Sequence, residues 1–329
     1  MPARTGSRIG AFVVGPATVA LVGTTDPFDG FTGPIVVDGG LATELERRGA
    51  DLRDELWSAR LLLDDPEAIV DVHRAYVAAG ADVLIGSSYQ ASFDGFAHRG
   101  LDRATAADLM KKSVELARRA ASEADRPVLV AASVGPYGAV LADGSEYTGE
   151  YHLGERGAAV AALRDFHRPR AEVLAAAAPD LLAVETIPSI TEVEALADVL
   201  PALAVPAWIS FSCGDGEHLN DGTPLAVAID LAVTIACVVA VGVNCTPPAF
   251  VPSLVAKAAT RTTLPLVAYP NRGTTWDAAS RSWTGDAVPD GFGQLSCELA
   301  AAGARLIGGC CGTGPADIRD VATALRPAA

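Results

Sequence analysis

Residues 305–313 read Arg-Leu-Ile-Gly-Gly-Cys-Cys-Gly-Thr, and Pro315 then opens an amphipathic stretch running to residue 326. A short apolar run, stopped by glycines and followed by a proline-led helical pattern, is a buried strand passing through a loop into a helix. The same unit recurs back along the chain. Apolar runs predict strands at 35–39, 83–88, 128–134, 181–186, 207–212, 238–244, 265–269 and 305–309. Helical patterns lie between them at 66–79, 102–124, 158–177, 190–200 and 290–302, with the last at 315–326. Strands that read as continuous Val, Ile, Leu and Ala are covered on both faces, as in parallel sheets. Eight of them alternating with helices predict one α/β domain, a closed (β/α)8 TIM barrel. An open doubly wound sheet is the rival. Its dinucleotide-binding version needs Gly-x-Gly-x-x-Gly after the first strand, and Asp-Gly-Gly-Leu-Ala-Thr stands there instead, at 38–43.

Composition agrees with a large α/β protein: half of the 329 residues are apolar and 6% aromatic. A formal charge of −15 argues against a nucleic-acid partner, whose phosphates need clustered Lys and Arg. It mildly favours a cationic ligand, although acidic surfaces commonly serve solubility alone. The six cysteines, at 213, 237, 245, 297, 310 and 311, are scattered through apolar runs, unlike a secreted disulfide scaffold, and predict a reducing, cytoplasmic setting. Residues 10–23 are apolar and follow Arg4 and Arg8, but the stretch is too short for a bilayer and is broken at Pro16. It reads as a weak signal peptide or, better, as part of an N-terminal extension over 1–30, packed on the surface or disordered, ahead of a barrel at 31–329. No membrane partner is expected. The oligomeric state, monomer or small homo-oligomer, stays open.

In such barrels the active site lies at the C-terminal ends of the strands. Asp38, Glu185, Cys245, Asn271 and the pair Cys310-Cys311 all fall at those ends. Three thiolates from two strand ends make a soft metal site suited to Zn2+, and three protein ligands leave a fourth position for substrate. Adjacent strand residues point to opposite faces, so Cys310 and Cys311 share one ion only if the strand stops before them. Gly308, Gly309 and Gly312 supply that backbone freedom and leave room. Buried structural thiols or a vicinal disulfide are the alternatives. Cys213, Cys237 and Cys297 read as ordinary core or helix residues, and the five histidines lack metal-binding spacing. Asp38 and Glu185 interrupt apolar runs, so each either joins a structural ion pair or holds a ligand's ammonium group. Glu44 reads as helix surface near the rim. Residues 135–151 form a long loop over the end of the third strand.

These segments together resemble the homocysteine S-methyltransferase family, most closely its branch using S-methylmethionine or S-adenosylmethionine. The resemblance covers roughly residues 33–325 and rests on Asp-Gly-Gly-Leu-Ala-Thr-Glu-Leu-Glu at 38–46, Ser-Tyr-Gln-Ala-Ser at 88–92 and Ser-Val-Gly-Pro-Tyr-Gly at 133–138. It continues through Glu-Thr-Ile-Pro at 185–188, Val-Asn-Cys at 243–245, Tyr-Pro-Asn at 269–271 and Gly-Gly-Cys-Cys-Gly-Thr at 308–313. It implies a barrel enzyme in which Cys245, Cys310 and Cys311 bind zinc, Asp38 and Glu185 bind the homocysteine amino group, and Asn271 approaches the metal when substrate is absent. The implied reaction moves a methyl group from a sulfonium donor to the zinc-bound homocysteine thiolate, forming methionine. Betaine-type or selenohomocysteine methyl transfer, and a non-catalytic zinc- or redox-sensing barrel, are the alternatives.

Overall fold

The computed structural model describes residues 26–52, 60–141, 143–273 and 291–326, together with the backbone of 275–277 and 282–284. The strands are β1 (Ile35–Val36), β2 (Val83–Ile85), β3 (Leu129–Val134), β4 (Leu181–Ile187), β5 (Ala207–Phe211), β6 (Val238–Asn244), β7 (Leu266–Tyr269), β8 (Thr275–Asp277), β9 (Ser282–Thr284) and β10 (Ala304–Ile307). Eight of them form one sheet in the order β1-β10-β7-β6-β5-β4-β3-β2, every pairing parallel. A parallel bridge between Val37 and Val83 joins the two ends, with Asp38 N donating to Val83 O at 3.1 Å. The predicted barrel is therefore the observed fold. β8 and β9 pair with each other as an antiparallel hairpin outside the ring.

Period-2 alternation divides the side chains into two layers. Val36, Leu84, Val130, Leu182, Ile209, Val241 and Ile307 point outward and pack under the helices. Ile35, Val37, Val83, Ala131, Leu181, Ala183, Trp208, Val267 and Leu306 form the inner cluster. Phe28 belongs to that inner cluster and is fully buried, and Arg305 donates to the carbonyls of Phe28 and Phe31. Residues 26–31 thus join the barrel rather than standing apart from it. Residues 1–25, with the apolar run at 10–23, lie outside the described residues.

The helices at Pro66–Ala79, Arg103–Ser122, Arg156–Ala176, Ile190–Ala197, Phe292–Ala301 and Pro315–Leu325 match the predicted ones to within a few residues. The long loop over β3 carries structure of its own, a helix at Tyr137–Leu141 and a 3-10 turn at Ser145–Tyr147. No described helix is long and apolar enough to cross a membrane.

His73, on the helix Pro66–Ala79, is wholly buried and neither ring nitrogen has a hydrogen-bond partner. Burial lowers its pKa from 6.5 to about 4. The unfolded chain therefore binds a proton that the folded one refuses, and stability falls as pH drops from 6.5 toward 4. The cost at about pH 5 is about 2 kcal/mol. His73→Leu is expected to remove that part of the acid sensitivity, seen as a smaller gap between urea midpoints at neutral and mildly acid pH. An unchanged gap would contradict the assignment.

Candidate metal and substrate site

The inward positions of the strands change character toward the C-terminal rim. Continuing the inner rows from Ala131, Ala183, Trp208, Ala240 and Val267 by steps of two reaches Ser133, Glu185, Ser210, Asn244 and Tyr269. The apolar interior thus ends in a polar floor, and the site stands on it. Tyr269 Oη donates to Glu185 Oε2 at 3.1 Å and lies 2.7 Å from Ser210 Oγ, while Trp208 Nε1 donates to it from below at 3.1 Å. Ser133 Oγ donates to the other oxygen of Glu185. Of these floor residues only Glu185 was singled out from the sequence; Ser133, Ser210, Asn244 and Tyr269 were missed, although the step-of-two rule marks each of them.

Cys245 follows β6 directly and takes a left-handed backbone, φ 46°, as does Thr186 at φ 61°. Non-glycine residues in that region cost about 1–3 kcal/mol each, and such strain clusters at functional sites. Asn244 is built between the two. Its Oδ1 accepts from Thr186 N at 2.7 Å and from Ser210 Oγ at 2.8 Å, and its Nδ2 donates to Thr186 Oγ1 at 2.8 Å. The same Nδ2 lies 3.9 Å from Cys310 Sγ.

β10 stops at Ile307, and residues 310–313 form a turn in which Thr313 N and Thr313 Oγ1 both donate to Cys310 O. The expected end of the strand is therefore present, and both cysteines turn toward Cys245. The glycines act differently from expectation. Of the three, only Gly312 takes a left-handed backbone, φ +81°. Gly308 and Gly309 are required by crowding instead: a Cβ would stand 2.5 Å from Val37 O and 2.4 Å from Thr313 Oγ1, respectively.

Among the described residues, Cys245, Cys310 and Cys311 are the group of three metal-ligating side chains brought together, with sulfurs all within 4.8 Å of one another. Cys245 and Cys311 are 3.6 Å apart at Sγ. Tetrahedral zinc with bonds of about 2.3 Å places sulfurs about 3.8 Å apart, so the Cys245–Cys311 pair already has that spacing and the trio is close enough to share one ion. All six cysteines are free. Cys310 is drawn well below the usual thiol range by sulfhydryl hydrogen bonds from Cys245 and Cys311, and the other two are held above it. One thiolate thus forms readily, and a divalent cation is what makes three compatible in so small a volume.

The sulfurs line one side of a cavity of about 720 Å³, counting its open mouth, with Gly39, Gly40, Thr43, Glu185 and Thr186. Tyr89 and Tyr147 line it as well. Asp38 lies just behind this wall, 1% exposed; its Oδ2 accepts from Ile85 N at 2.9 Å and its Oδ1 has no partner. Neither Asp38 nor Glu185 pairs with a Lys, Arg or His among the described residues, which sets the structural ion-pair reading aside. Burial pushes Glu185 up to about 8, helped by the charge of Cys310, and holds Asp38 well above the carboxylate range, with a smaller contribution from Glu185. Glu44 pairs with Arg48 at 2.9 Å on its helix, and its side chain is largely covered rather than lying on the open surface. Asn271 is buried, but its Oδ1 accepts from Gly273 N at 2.8 Å and it is not among the cavity-lining residues. Its segment braces the metal loops: Asn271 N donates to Thr246 O at 3.2 Å and Arg272 N to Cys311 O at 2.9 Å.

The family profile described as Homocysteine S-methyltransferase matches residues 35–325. A homocysteine S-methyltransferase of Bacillus subtilis is 45% identical over 302 residues, covering 89% of this chain and 94% of its own length. One from Escherichia coli is 49% identical over 298 residues, covering 86% and 93%. The crystal structure of the Escherichia coli homocysteine methyltransferase in its metallated form superposes with a TM-score of 0.80 at 45% identity, over 90% of this chain and 99% of that one. On fold, site and sequence alike, this chain belongs to the homocysteine S-methyltransferase family.

Proposed function

We propose that this enzyme methylates the sulfur of homocysteine at the expense of a sulfonium donor, with Cys245, Cys310 and Cys311 holding zinc and with Asp38 and Glu185 receiving the substrate's amino group. The observation that carries the reading is the juxtaposition of the three sulfurs with two buried carboxyls that have no cationic partner among the described residues. Zinc bound by three thiolates supplies the Lewis acidity that keeps a substrate thiol deprotonated at neutral pH.

The protein's own contribution is placement. Glu185 is aimed by Ser133 and Tyr269, and Asp38 by the Ile85 amide, so an arriving ammonium meets two fixed acceptors. Both carboxyls are disfavoured as anions while alone, and a cation relieves that cost. Asn244 fixes the turn that carries Cys245 and sets an N–H beside Cys310. Thiolate and sulfonium neutralise each other during an in-line displacement, which a partly desolvated mouth favours over bulk water. The donor leaves as a neutral thioether, so no general acid is required. The backbone of 270–272 braces the two cysteine-bearing loops, Asn271 N through Thr246 O and Arg272 N through Cys311 O. Family membership favours this enzyme over a zinc- or redox-sensing barrel.

The test is a donor panel with homocysteine and the zinc-loaded protein. Methionine is expected with S-methylmethionine and with S-adenosylmethionine, and none above background with betaine, whose quaternary nitrogen lacks a sulfonium leaving group. Transfer from betaine alone would replace the donor assignment, and no methionine from any donor would reject the reaction.

A further inference from the structure

Two carboxylates are assigned to the single ammonium of homocysteine, yet a third stands behind the tyrosine wall of the same cavity, with no cation paired to it among the described residues. Glu146 sits on the 3-10 turn of the loop over β3, where its Oε2 accepts from Tyr89 Oη at 3.0 Å. Among the described residues it has no Lys, Arg or His partner. Tyr89 and the next residue, Tyr147, are cavity walls. Two tyrosine rings with a carboxylate behind one of them form a surface that attracts an onium cation: the ring faces offer cation–π attraction, and a carboxylate accepting the phenol's hydrogen bond makes that ring richer in electrons.

Buried polar side chains outside the metal centre hold the loop and the Tyr89 segment in place. Glu192, fully buried, accepts from Tyr137 N at 2.6 Å at the start of the loop and from Tyr151 Oη at 2.6 Å at its end, and it lies 2.7 Å from His167 Nε2. Arg170, 1% exposed, donates to Gly135 O at 3.0 Å and to the carbonyls of Ser88 and Tyr89 at 3.2 and 3.0 Å. Crowding locks the loop further. A Cβ on Gly138 would stand 2.4 Å from Glu146 N, and one on Gly135 would stand 2.6 Å from the Tyr89 ring. Burying such groups is costly, and the fixed placement of the loop is one gain that offsets it.

We propose that Tyr89, Glu146 and Tyr147 form the recognition site for the sulfonium cation of the methyl donor, and that the loop 135–151 is the element that selects it. This rests on the reading of the chain as a sulfonium-using methyltransferase. It carries a kinetic signature. The donor's positive charge is complete in the ground state and partly discharged in the transition state, so Glu146 stabilises the former more. Glu146 therefore lowers the KM for the donor without raising kcat.

Calorimetric titration of the zinc-loaded protein with S-methylmethionine, and separately with S-adenosylmethionine, tests the site without turnover. Glu146→Gln is expected to weaken sulfonium binding about tenfold or more, to raise the donor KM by a similar factor with kcat unchanged or higher, and to leave zinc content and the homocysteine KM as they were. Tyr147→Leu, which keeps an apolar wall and removes the ring, is expected to weaken the same titration and serves if the first variant does not fold. Equal sulfonium affinity in wild type and variants overturns the site. So does a loss that falls on homocysteine instead. The underlying reaction fails separately: sulfonium binding that depends on Glu146 with no methionine formed sinks the reaction and leaves the binding site standing.

Discussion

Cys310→Ala is expected to fold, to lose stoichiometric zinc, and to transfer methyl at less than about one-thousandth of the wild-type rate. The loss is large because the three sulfurs sit within 4.8 Å of one another and no other metal-ligating side chain among the described residues joins their group. Two remaining thiolates leave half of a tetrahedral shell to solvent, and affinity falls steeply. The fold should survive because the turn is held through backbone: Thr313 bonds to Cys310 O, and Cys310 N donates to Pro270 O at 2.8 Å. Metal analysis, methionine formation and a thermal melt on one preparation check all three parts. Cys297→Ala, at an exposed thiol on a helix, should change neither metal nor turnover. A Cys310→Ala protein with full zinc and normal activity would remove the thiolates from the reaction.

Asp38→Asn has the second largest expected effect and a different signature. Asparagine keeps an oxygen to accept the Ile85 amide, so the loop after β1 has no reason to move. What it loses is the negative charge. Removing one charge partner of a buried, hydrogen-bonded pair costs about 2–5 kcal/mol, so the KM for homocysteine should rise by about two orders of magnitude. Zinc content should stay stoichiometric, and kcat at saturating homocysteine should stay near wild type, because the ammonium is equally distant from the chemistry in ground and transition states. An unchanged KM would assign the amino group elsewhere. Loss of zinc in step with activity would make Asp38 a structural support of the metal loops instead.

The barrel was legible because its strands are buried on both faces and so read as continuous apolar runs. Each is short and bounded by Gly, Pro or a polar residue. The shorter helices Phe93–His98, Leu225–Ala232 and Val251–Ala259 were not read. The last two mix Ala, Val and Leu with too little periodicity over so few turns, Phe93–His98 is under two turns long with Gly95 inside it, and packing rather than propensity makes them helical. Phe28 looked like part of a tail because nothing local to it signals the inner barrel that it fills. At the site, the cysteines stood out as rare soft ligands at strand ends. Glu185 and Asp38 stood out as charges inside apolar runs. Asn244 and Tyr269 lay inside quoted motifs and drew no role, since a hydrogen-bonding floor becomes visible only when five strands are laid side by side. Glu192 lies more than forty residues beyond Glu146, and its hold on the loop is a purely tertiary fact. Asn271 shows the converse: a residue singled out by resemblance whose side chain is engaged in its own turn.

The central claim is that three protein sulfurs hold one zinc and leave a place on it for the sulfur of homocysteine. X-ray absorption at the zinc edge measures this directly. The account predicts three sulfurs at about 2.3 Å with one lighter atom in the free enzyme, changing to four sulfurs when homocysteine is added. A shell of nitrogen and oxygen, or a three-sulfur shell that homocysteine leaves unaltered, would contradict it.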